Sequence, residues 1–167
     1  MPSKTSNKRK FPPFPKRDWL GCTETGLEEV AEWVVSRLGT RDVVLLDGEM
    51  GAGKSTLARA ILRSVGVDQP PEGSPTFALV HEYSSPKGAI AHMDLFRIRA
   101  EEELDESGIT AIVWERNMVS LVEWASLWPQ FEESLVSASG GRKIWRIAIS
   151  LVPGQPERRD IRALQAS

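Results

Sequence analysis

A glycine-rich stretch near residue 50 has the residue types needed to hold a phosphate group. It fits the pattern G-x-x-x-x-G-K-[ST] and a threonine follows it; its residues are Gly48, Glu49, Met50, Gly51, Ala52, Gly53, Lys54, Ser55 and Thr56. Glycines let the backbone turn tightly enough for successive N–H groups to point at phosphate oxygens. Lys54 can place its charge on the β- and γ-phosphates, and the Ser55 hydroxyl can ligate Mg²⁺. The stretch therefore predicts a binding site for a nucleoside triphosphate.

The flanking sequence decides between a phosphate-binding loop (P-loop) and a glycine-rich surface turn. The apolar run of residues 43–46 is typical of a strand that is buried on both faces. After the loop, apolar residues recur at helical spacing over residues 57–65. The N-terminus of such a helix would add unpaired amides and the positive end of a helix dipole. This order of strand, loop and helix favours the P-loop.

The predicted nucleotide is ATP. Guanine-specific P-loop proteins carry an N-K-x-D element after a strand, in which the Asp recognises the guanine edge. The only Asn-Lys pair of this chain is Asn7-Lys8, near the N-terminus. ATP and Mg²⁺ are therefore the expected cofactors.

A P-loop site also needs an acidic residue at the end of a neighbouring strand, where it holds Mg²⁺ and orders water. Asp94 follows the apolar run of residues 89–93, and Glu123 follows that of residues 118–122. We expect each at a strand end beside the loop; the alternative for either is an ordinary carboxylate that faces solvent. Trp124, next to Glu123, can shield such a site from water, which favours the functional interpretation.

The segment Ser74-Pro75-Thr76 allows two interpretations. It lies between the P-loop helix and the next predicted strand, where GTPases and ATPases keep segments that sense the nucleotide. Thr76 would there direct its hydroxyl toward the γ-phosphate or the metal. A plain turn built on the proline is an equally good interpretation of the residues alone.

The remaining elements predict an α/β fold, a P-loop NTPase-like mixed β-sheet flanked by helices in a single domain. Thr25 and Glu28 have the spacing of a capping box, ahead of a helix that ends near Gly39. The other predicted elements are a β-hairpin over residues 77–83 and 89–95, a short helix over 99–107, a strand over 118–122 and a half-exposed strand over 144–151 that pairs with 159–164. The sheet should therefore combine a parallel nucleotide-binding core with antiparallel additions.

Composition narrows the possible classes of protein. The chain has 167 residues, of which 41% are hydrophobic and 26% charged, as in ordinary globular domains. No apolar run is long enough to cross a bilayer, so no membrane association is expected. Cys22 is the only cysteine, which excludes an internal disulfide, and two histidines are too few for a zinc site without several carboxylates. These features favour a reducing, cytoplasmic location.

The N-terminus differs from the rest in charge. The first 17 residues contain six basic and no acidic residues, whereas the whole chain has a net charge of -2. Three prolines among residues 12–15 forbid a helix there. We predict a basic, disordered tail over residues 1–18 and a P-loop ATPase domain over residues 19–167; contact of the tail with a polyanion such as RNA is the alternative.

Five segments taken together resemble the TsaE family of small ATPases, which serve the threonylcarbamoyladenosine modification of tRNA. In chain order they are GEMGAGKST, SPTFALVHEY, HMDLFRI, EELDESGI and LVEW. The resemblance covers residues 23–164. The P-loop alone is shared by very many proteins, but its combination with S-P-T-F and a strand-ending V-E-W is far more specific.

The resemblance implies slow ATP hydrolysis that supports TsaD-like and TsaB-like partners, with any contact to tRNA indirect. By position it implies that Lys54 holds phosphate, that Ser55, Asp94 and Glu123 surround Mg²⁺, that Glu123 orients the attacking water and that Thr76 belongs to a switch-like loop. Lys54, Thr76, Asp94 and Glu123 are thus the candidate catalytic residues. Glu24, Thr25, Trp124 and Arg158 are the further candidates for contact with the nucleotide.

Three residues depart from the family pattern, and two other functions remain open. Phe96 stands where the family usually has tyrosine, Ala125 where it has proline, and Ser55 where threonine is commoner. None of these changes removes a charge. The alternatives are a small-molecule kinase, although residues 97–143 lack the arginine-rich lid usual in kinases, and a nucleotide-gated binding module without significant hydrolysis.

Overall fold

The computed structural model describes residues 15–72, Pro75 and residues 79–167. Seven strands and five helices occupy these residues. The strands are β1 (Lys16–Cys22), β2 (Val43–Asp47), β3 (Val80–Ser85), β4 (Gly88–Asp94), β5 (Val119–Glu123), β6 (Ile144–Val152) and β7 (Gln155–Gln165). The helices are α1 (Gly26–Val35), α2 (Lys54–Ser64), α3 (Glu102–Glu106), α4 (Ile109–Glu115) and α5 (Pro129–Ser137), with a 3₁₀ turn over Ala125–Leu127.

The strands form one mixed sheet in the order β1-β7-β6-β2-β5-β4-β3. The four central strands β6, β2, β5 and β4 run parallel to one another. Strand β3 pairs antiparallel with β4, β7 pairs antiparallel with β6, and β1 pairs antiparallel with β7. This arrangement confirms the predicted α/β fold with its parallel core and antiparallel additions. The carboxyl ends of β2, β4 and β5 consequently meet at one edge of the sheet, which is where α/β proteins bind ligands.

Helices cover the sheet on both faces. Helices α1 and α2 pack on one face, in a buried cluster with alternate residues of the strands such as Leu46, Leu121 and Ile147. Helices α3, α4 and α5 pack on the other face, around Leu45, Met93 and Val122. Strand β2 is buried on both faces because it lies in the middle of the sheet, as its continuous apolar run predicts. Within the described residues, no helix has the length and apolar character that a membrane crossing requires.

The boundary predicted between tail and domain lies inside a strand. Strand β1 begins at Lys16 and pairs with β7, with Lys16 opposite Leu164 and Trp19 opposite Ile161. Residues 16–18 are therefore part of the sheet, although their side chains are exposed. A strand at the edge of a sheet can carry charged, solvent-facing side chains. The sequence of such a strand is therefore hard to distinguish from that of a polar tail. Residues 1–14 lie outside the described residues.

Two local predictions about helices are corrected. The capping box is absent: Thr25 precedes α1, but its hydroxyl lies 3.0 Å from that of Thr23 and makes no capping bond. The first amides of the helix instead donate to the carbonyl oxygens of Thr23 and Glu24. The single helix predicted over residues 99–107 is followed by a second one, α4, because Gly108 adopts a left-handed conformation that ends the first and starts the next.

Asp42 ties together the starts of two central strands. Its carboxylate is buried and accepts hydrogen bonds from the backbone N–H groups of Gly39 (2.7 Å) and Lys143 (2.9 Å). We expect Asp42→Ala to lower the free energy of unfolding by about 2–4 kcal/mol, because two partly buried hydrogen bonds lose their charged acceptor. Chemical denaturation measures this change. Asp18→Ala, which removes an exposed ion pair with Arg162, is the control and should barely move the midpoint; equal shifts in the two variants would contradict the prediction.

Candidate active site

The P-loop connects β2 to α2 and depends on glycine at two positions. Gly48 leaves the strand with φ +155°, and a Cβ there would lie 2.4 Å from the backbone oxygen of Ile149. Gly53 stands before α2 with φ +108°. A side chain at either position would clash or be strained. Helix α2 then starts at Lys54, so its first backbone N–H groups face the loop, as the sequence predicts.

Lys54 lies in the loop with its side chain almost fully buried. Its Nζ donates to the carbonyl oxygens of Gly48 (2.8 Å) and Glu49 (2.9 Å). The same Nζ lies 3.7 Å from the ring centroid of Trp124, a distance at which the ring attracts a cation. Burial lowers the pKa of Lys54, and Glu123 leads the nearby carboxylates that oppose this shift.

A chain of hydrogen bonds joins the loop to the sheet. The hydroxyl of Ser55 donates to Oε2 of Glu123 over 3.0 Å. The other oxygen of Glu123, Oε1, lies 2.8 Å from Nε2 of His92, a buried residue of β4. Glu123 is only 1% exposed, and burial of a carboxylate is tolerable where such partners satisfy it. The site therefore presents Glu123 in a fixed position against the start of α2.

Asp94 lies beside Glu123, as the strand ends predict. The two residues are directly opposite in the parallel pairing of β4 with β5. Asp94 is largely buried, and its Oδ1 accepts a hydrogen bond from the backbone N–H of Phe96 (3.0 Å). The alternative of two solvent-facing carboxylates is wrong, because both side chains are buried at the edge of the sheet where the loop lies.

These residues line a cavity of about 430 Å³. The residues along its wall are Met50, Gly51, Gly53, Lys54, Ser55, Thr56, Asp94, Phe96, Arg97, Glu123 and Trp124. Trp124 reaches this wall because its backbone adopts a left-handed conformation (φ +64°) directly after β5, a strained geometry for a large residue. The rings of Trp124 and Phe96 lie 5.0 Å apart. The cavity thus has a cationic and amide-rich side, an acidic side and an aromatic cover.

A second, smaller cavity of about 110 Å³ lies on the other side of the loop. Its lining residues are Glu24, Leu27, Ala52, Gly53, Thr56, Glu157 and Arg159; that Glu24 contacts the nucleotide stays a prediction. Thr25 and Arg158 are not among its lining residues, and Arg158 donates instead to the carbonyl of Gly21 over 2.9 Å.

Sequence analysis missed two charged residues that line this cavity, Glu157 and Arg159. Arg159 contacts the P-loop directly. Its Nε donates to the carbonyl of Ala52 over 2.7 Å. The signal was available in the alternation of β7: Arg159 has the same parity as Ile161 and Ala163, which are buried toward α1 and α2.

The donor set of the larger cavity fits Mg²⁺ as P-loop proteins bind it. Ser55, Asp94 and Glu123 supply oxygens only, which Mg²⁺ prefers. Over the residues that the structure describes, no cluster of three His, Cys, Asp or Glu forms a metal cage; Mg²⁺ at phosphates ordinarily takes one or two carboxylates and keeps several waters. Thr76, predicted to approach the γ-phosphate, lies outside the described residues.

Comparison with known proteins identifies the family. The family described as "Threonylcarbamoyl adenosine biosynthesis protein TsaE" matches residues 22–153. The chain belongs to the TsaE family. It is therefore a member of a family that acts in tRNA threonylcarbamoyladenosine biosynthesis.

Individual TsaE relatives agree with this assignment. The chain is 36% identical to the TsaE protein of Aquifex aeolicus over 96 residues, which are 56% of this chain and 72% of that protein. It is 40% identical to the TsaE protein of Haemophilus influenzae over 83 residues, 50% of this chain and 51% of that protein. A crystal structure of Bacillus subtilis YdiB has the same fold, with a TM-score of 0.64 and 23% identity over 94% of this chain and 90% of that one.

The contact between Lys54 and Trp124 predicts an optical signal for ligand binding. A polyphosphate that draws Nζ toward the cavity must change the surroundings of the indole ring. We expect titration with Mg·ATP to change the tryptophan emission saturably, and Trp124→Phe to remove most of the change. Trp114→Phe, on α4 beside Arg142, is the control and should keep it. A full response in the Trp124→Phe protein would contradict this geometry.

Proposed function

We propose that this TsaE protein binds Mg·ATP at its P-loop and hydrolyses ATP slowly in support of tRNA threonylcarbamoyladenosine biosynthesis. The observation that carries the proposal is the 3.0 Å hydrogen bond between Ser55 and Glu123. It joins the two parts that phosphoryl transfer requires, a phosphate-binding loop and a carboxylate on a neighbouring strand. A glycine-rich surface turn would have no reason to meet a buried acid.

Each polar residue of the larger cavity has a role in this proposal. The loop amides and Lys54 bind the phosphates, for which Lys54 exchanges its contacts with two loop carbonyls for contacts with phosphate oxygens. Ser55, Asp94 and Glu123 hold Mg²⁺, which would neutralise charge on the phosphates. Glu123 also orients the attacking water. Thr76 completes the site from its switch-like loop.

The smaller cavity is the proposed place for the base end of the nucleotide. It adjoins the loop through Ala52, Gly53 and Thr56, so a nucleotide whose phosphates lie on the loop could extend into it. Glu24 lines this cavity. Arg159 replaces Arg158 in the proposal because only the former lines it.

The proposed partners are TsaD-like and TsaB-like proteins, with tRNA contacted through them. Hydrolysis of ATP by the isolated chain would then be slow, since the modification of adenosine is carried out by the complex. This activity belongs in the cytoplasm, where tRNA is modified.

Removal of the Lys54 ammonium tests the phosphate-binding role. We expect Lys54→Ala to weaken binding of Mg·ATP by about 10- to 100-fold, because a charge-assisted hydrogen bond to phosphate contributes roughly 1.5–3 kcal/mol. Calorimetric titration measures the affinity. Lys87→Ala, in the turn between β3 and β4, should bind ATP like the unsubstituted protein. Unchanged affinity in the Lys54→Ala protein would refute the P-loop assignment.

Substitution of Glu123 tests ATP hydrolysis separately from ATP binding. We expect Glu123→Ala to lower the rate of ATP hydrolysis by about 10²-fold, a typical contribution of a residue that acts in proton transfer or water activation, and to retain most of the affinity for the nucleotide. Glu82→Ala, which removes an exposed partner of Arg116, is the control. Measurable hydrolysis that does not change in the Glu123→Ala protein would remove the catalytic role of this residue.

Partner dependence distinguishes the proposal from the two alternatives. Adding TsaD-like and TsaB-like proteins should raise ATP turnover, and threonylcarbamoyladenosine should form on tRNA only when all components are present. Rapid phosphorylation of a small alcohol by the isolated chain would identify a kinase instead. Tight ATP binding with no turnover under any condition would identify a nucleotide-gated binding module.

A further inference from the structure

His92 makes a contact that the proposed function does not use. It lies on β4, two residues before Asp94, and its side chain is buried. Its Nε2 lies 2.8 Å from Oε1 of Glu123. Because a carboxylate oxygen accepts hydrogen bonds, Nε2 carries the proton and donates it to this bond.

The contact determines which oxygen of Glu123 faces the cavity. The terminal torsion of a glutamate side chain has only broad preferences of its own, so the plane of the carboxylate is set by its partners. His92 engages Oε1 from the sheet, and Oε2 is left pointing at Ser55. Without the hydrogen bond from His92, the carboxylate could rotate about its terminal torsion. Either oxygen, or neither, would then face the cavity.

Of the two side-chain partners of Glu123, only His92 would keep its hydrogen bond when a ligand binds. Ser55 belongs to the loop, and its hydroxyl leaves Glu123 when it serves a metal in the proposed function. His92 belongs to the sheet, where β4 pairs with β3 and β5 on its two sides. The bond from His92 can therefore persist while the bond from Ser55 is exchanged.

We propose that His92 is a positioning residue that holds the Glu123 carboxylate in its reactive orientation. The inference deepens the proposed function and rests on it. His92 does not contact the nucleotide in this assignment; it acts through Glu123 alone. Hydrogen-bonding partners behind a reactive carboxylate or metal ligand typically affect activity by 10- to 100-fold.

Kinetics on single variants test whether a donor is required at this position. We expect His92→Ala to lower kcat for ATP hydrolysis by about 10-fold or more and to leave KM within about two-fold, since the loop amides and Lys54, which make most of the proposed contacts with the nucleotide, are unchanged. His92→Gln, which retains an N–H group near the position of Nε2, should restore most of kcat. His81→Ala is the matched control: His81 lies directly opposite His92 on β3 and contacts Tyr83 instead, so its loss should leave kcat unchanged. Equal losses in the Ala and Gln variants at position 92, or no loss, would overturn the proposal.

A double-mutant cycle tests whether His92 acts only through Glu123. In the Glu123→Ala background, His92→Ala should cause no further loss of kcat, because the group it positions is gone. A further 10-fold loss would overturn the proposal. For every variant, the number of binding sites for a fluorescent ATP analogue gives the fraction of folded molecules. The thermal midpoint shows whether the variant is stable at the assay temperature. A loss of folded protein is then not mistaken for a lower kcat.

Proton NMR provides a test that does not depend on hydrolysis. The proton on Nε2 of His92, held by a carboxylate and shielded from water, should give a downfield imidazole signal that His92→Gln removes and Glu123→Gln shifts. An absent signal, or one that Glu123→Gln leaves unchanged, would overturn the proposed contact. If the signal behaves as expected but the unsubstituted protein never hydrolyses ATP, the proposed function fails while the positioning of Glu123 stands. If ATP is hydrolysed and His92→Ala has no effect, the proposed function stands and the role of His92 fails.

Discussion

The hydrogen bond between Ser55 and Glu123 joins the start of a surface helix to the centre of the sheet, and the rest of the site depends on it. Two carboxylates on adjacent strands, Asp94 and Glu123, repel each other in a buried place unless each has partners. Here the hydroxyl of Ser55, the imidazole of His92 and the backbone N–H of Phe96 provide them. The ammonium of Lys54 balances the charge nearby. The acids can therefore remain buried at the edge of the sheet.

The sequence predicted those features of the fold that local residue patterns determine. Strand β2, helix α2 and the loop between them are specified by an apolar run, helical spacing and glycines, and the structure has all three. Strand β1 was missed because its charged side chains face solvent, and only its pairing with β7, more than 130 residues away, makes it a strand. The capping box failed because the Thr25 hydroxyl contacts that of Thr23 instead of a helix amide, and the turn over residues 23–25 binds the first two amides of α1.

The candidate site was predictable to the extent that parallel strands align their ends. Because β4 and β5 are parallel neighbours, the residue that closes each apolar run reaches the same edge, and Asp94 meets Glu123 without further information. His92 required the strand pairing itself, whereas Arg159 could have been found from the alternation of β7. His92 resembles any buried histidine until the register places it diagonally across from Glu123, and Arg158 and Arg159 are distinguished only by which face of β7 each one occupies.

The contacts of Lys54 have a consequence for the energetics of the site. Its ammonium is already satisfied by two carbonyl oxygens and covered by the ring of Trp124. In the proposed function a triphosphate would replace these contacts, so binding would gain only the difference between the new hydrogen bonds and the old ones. Burial also lowers the pKa of Lys54, and the nearby carboxylates, Glu123 first among them, oppose this shift. A loop built in this way would bind the proposed nucleotide with modest affinity, because contacts already made are lost on binding.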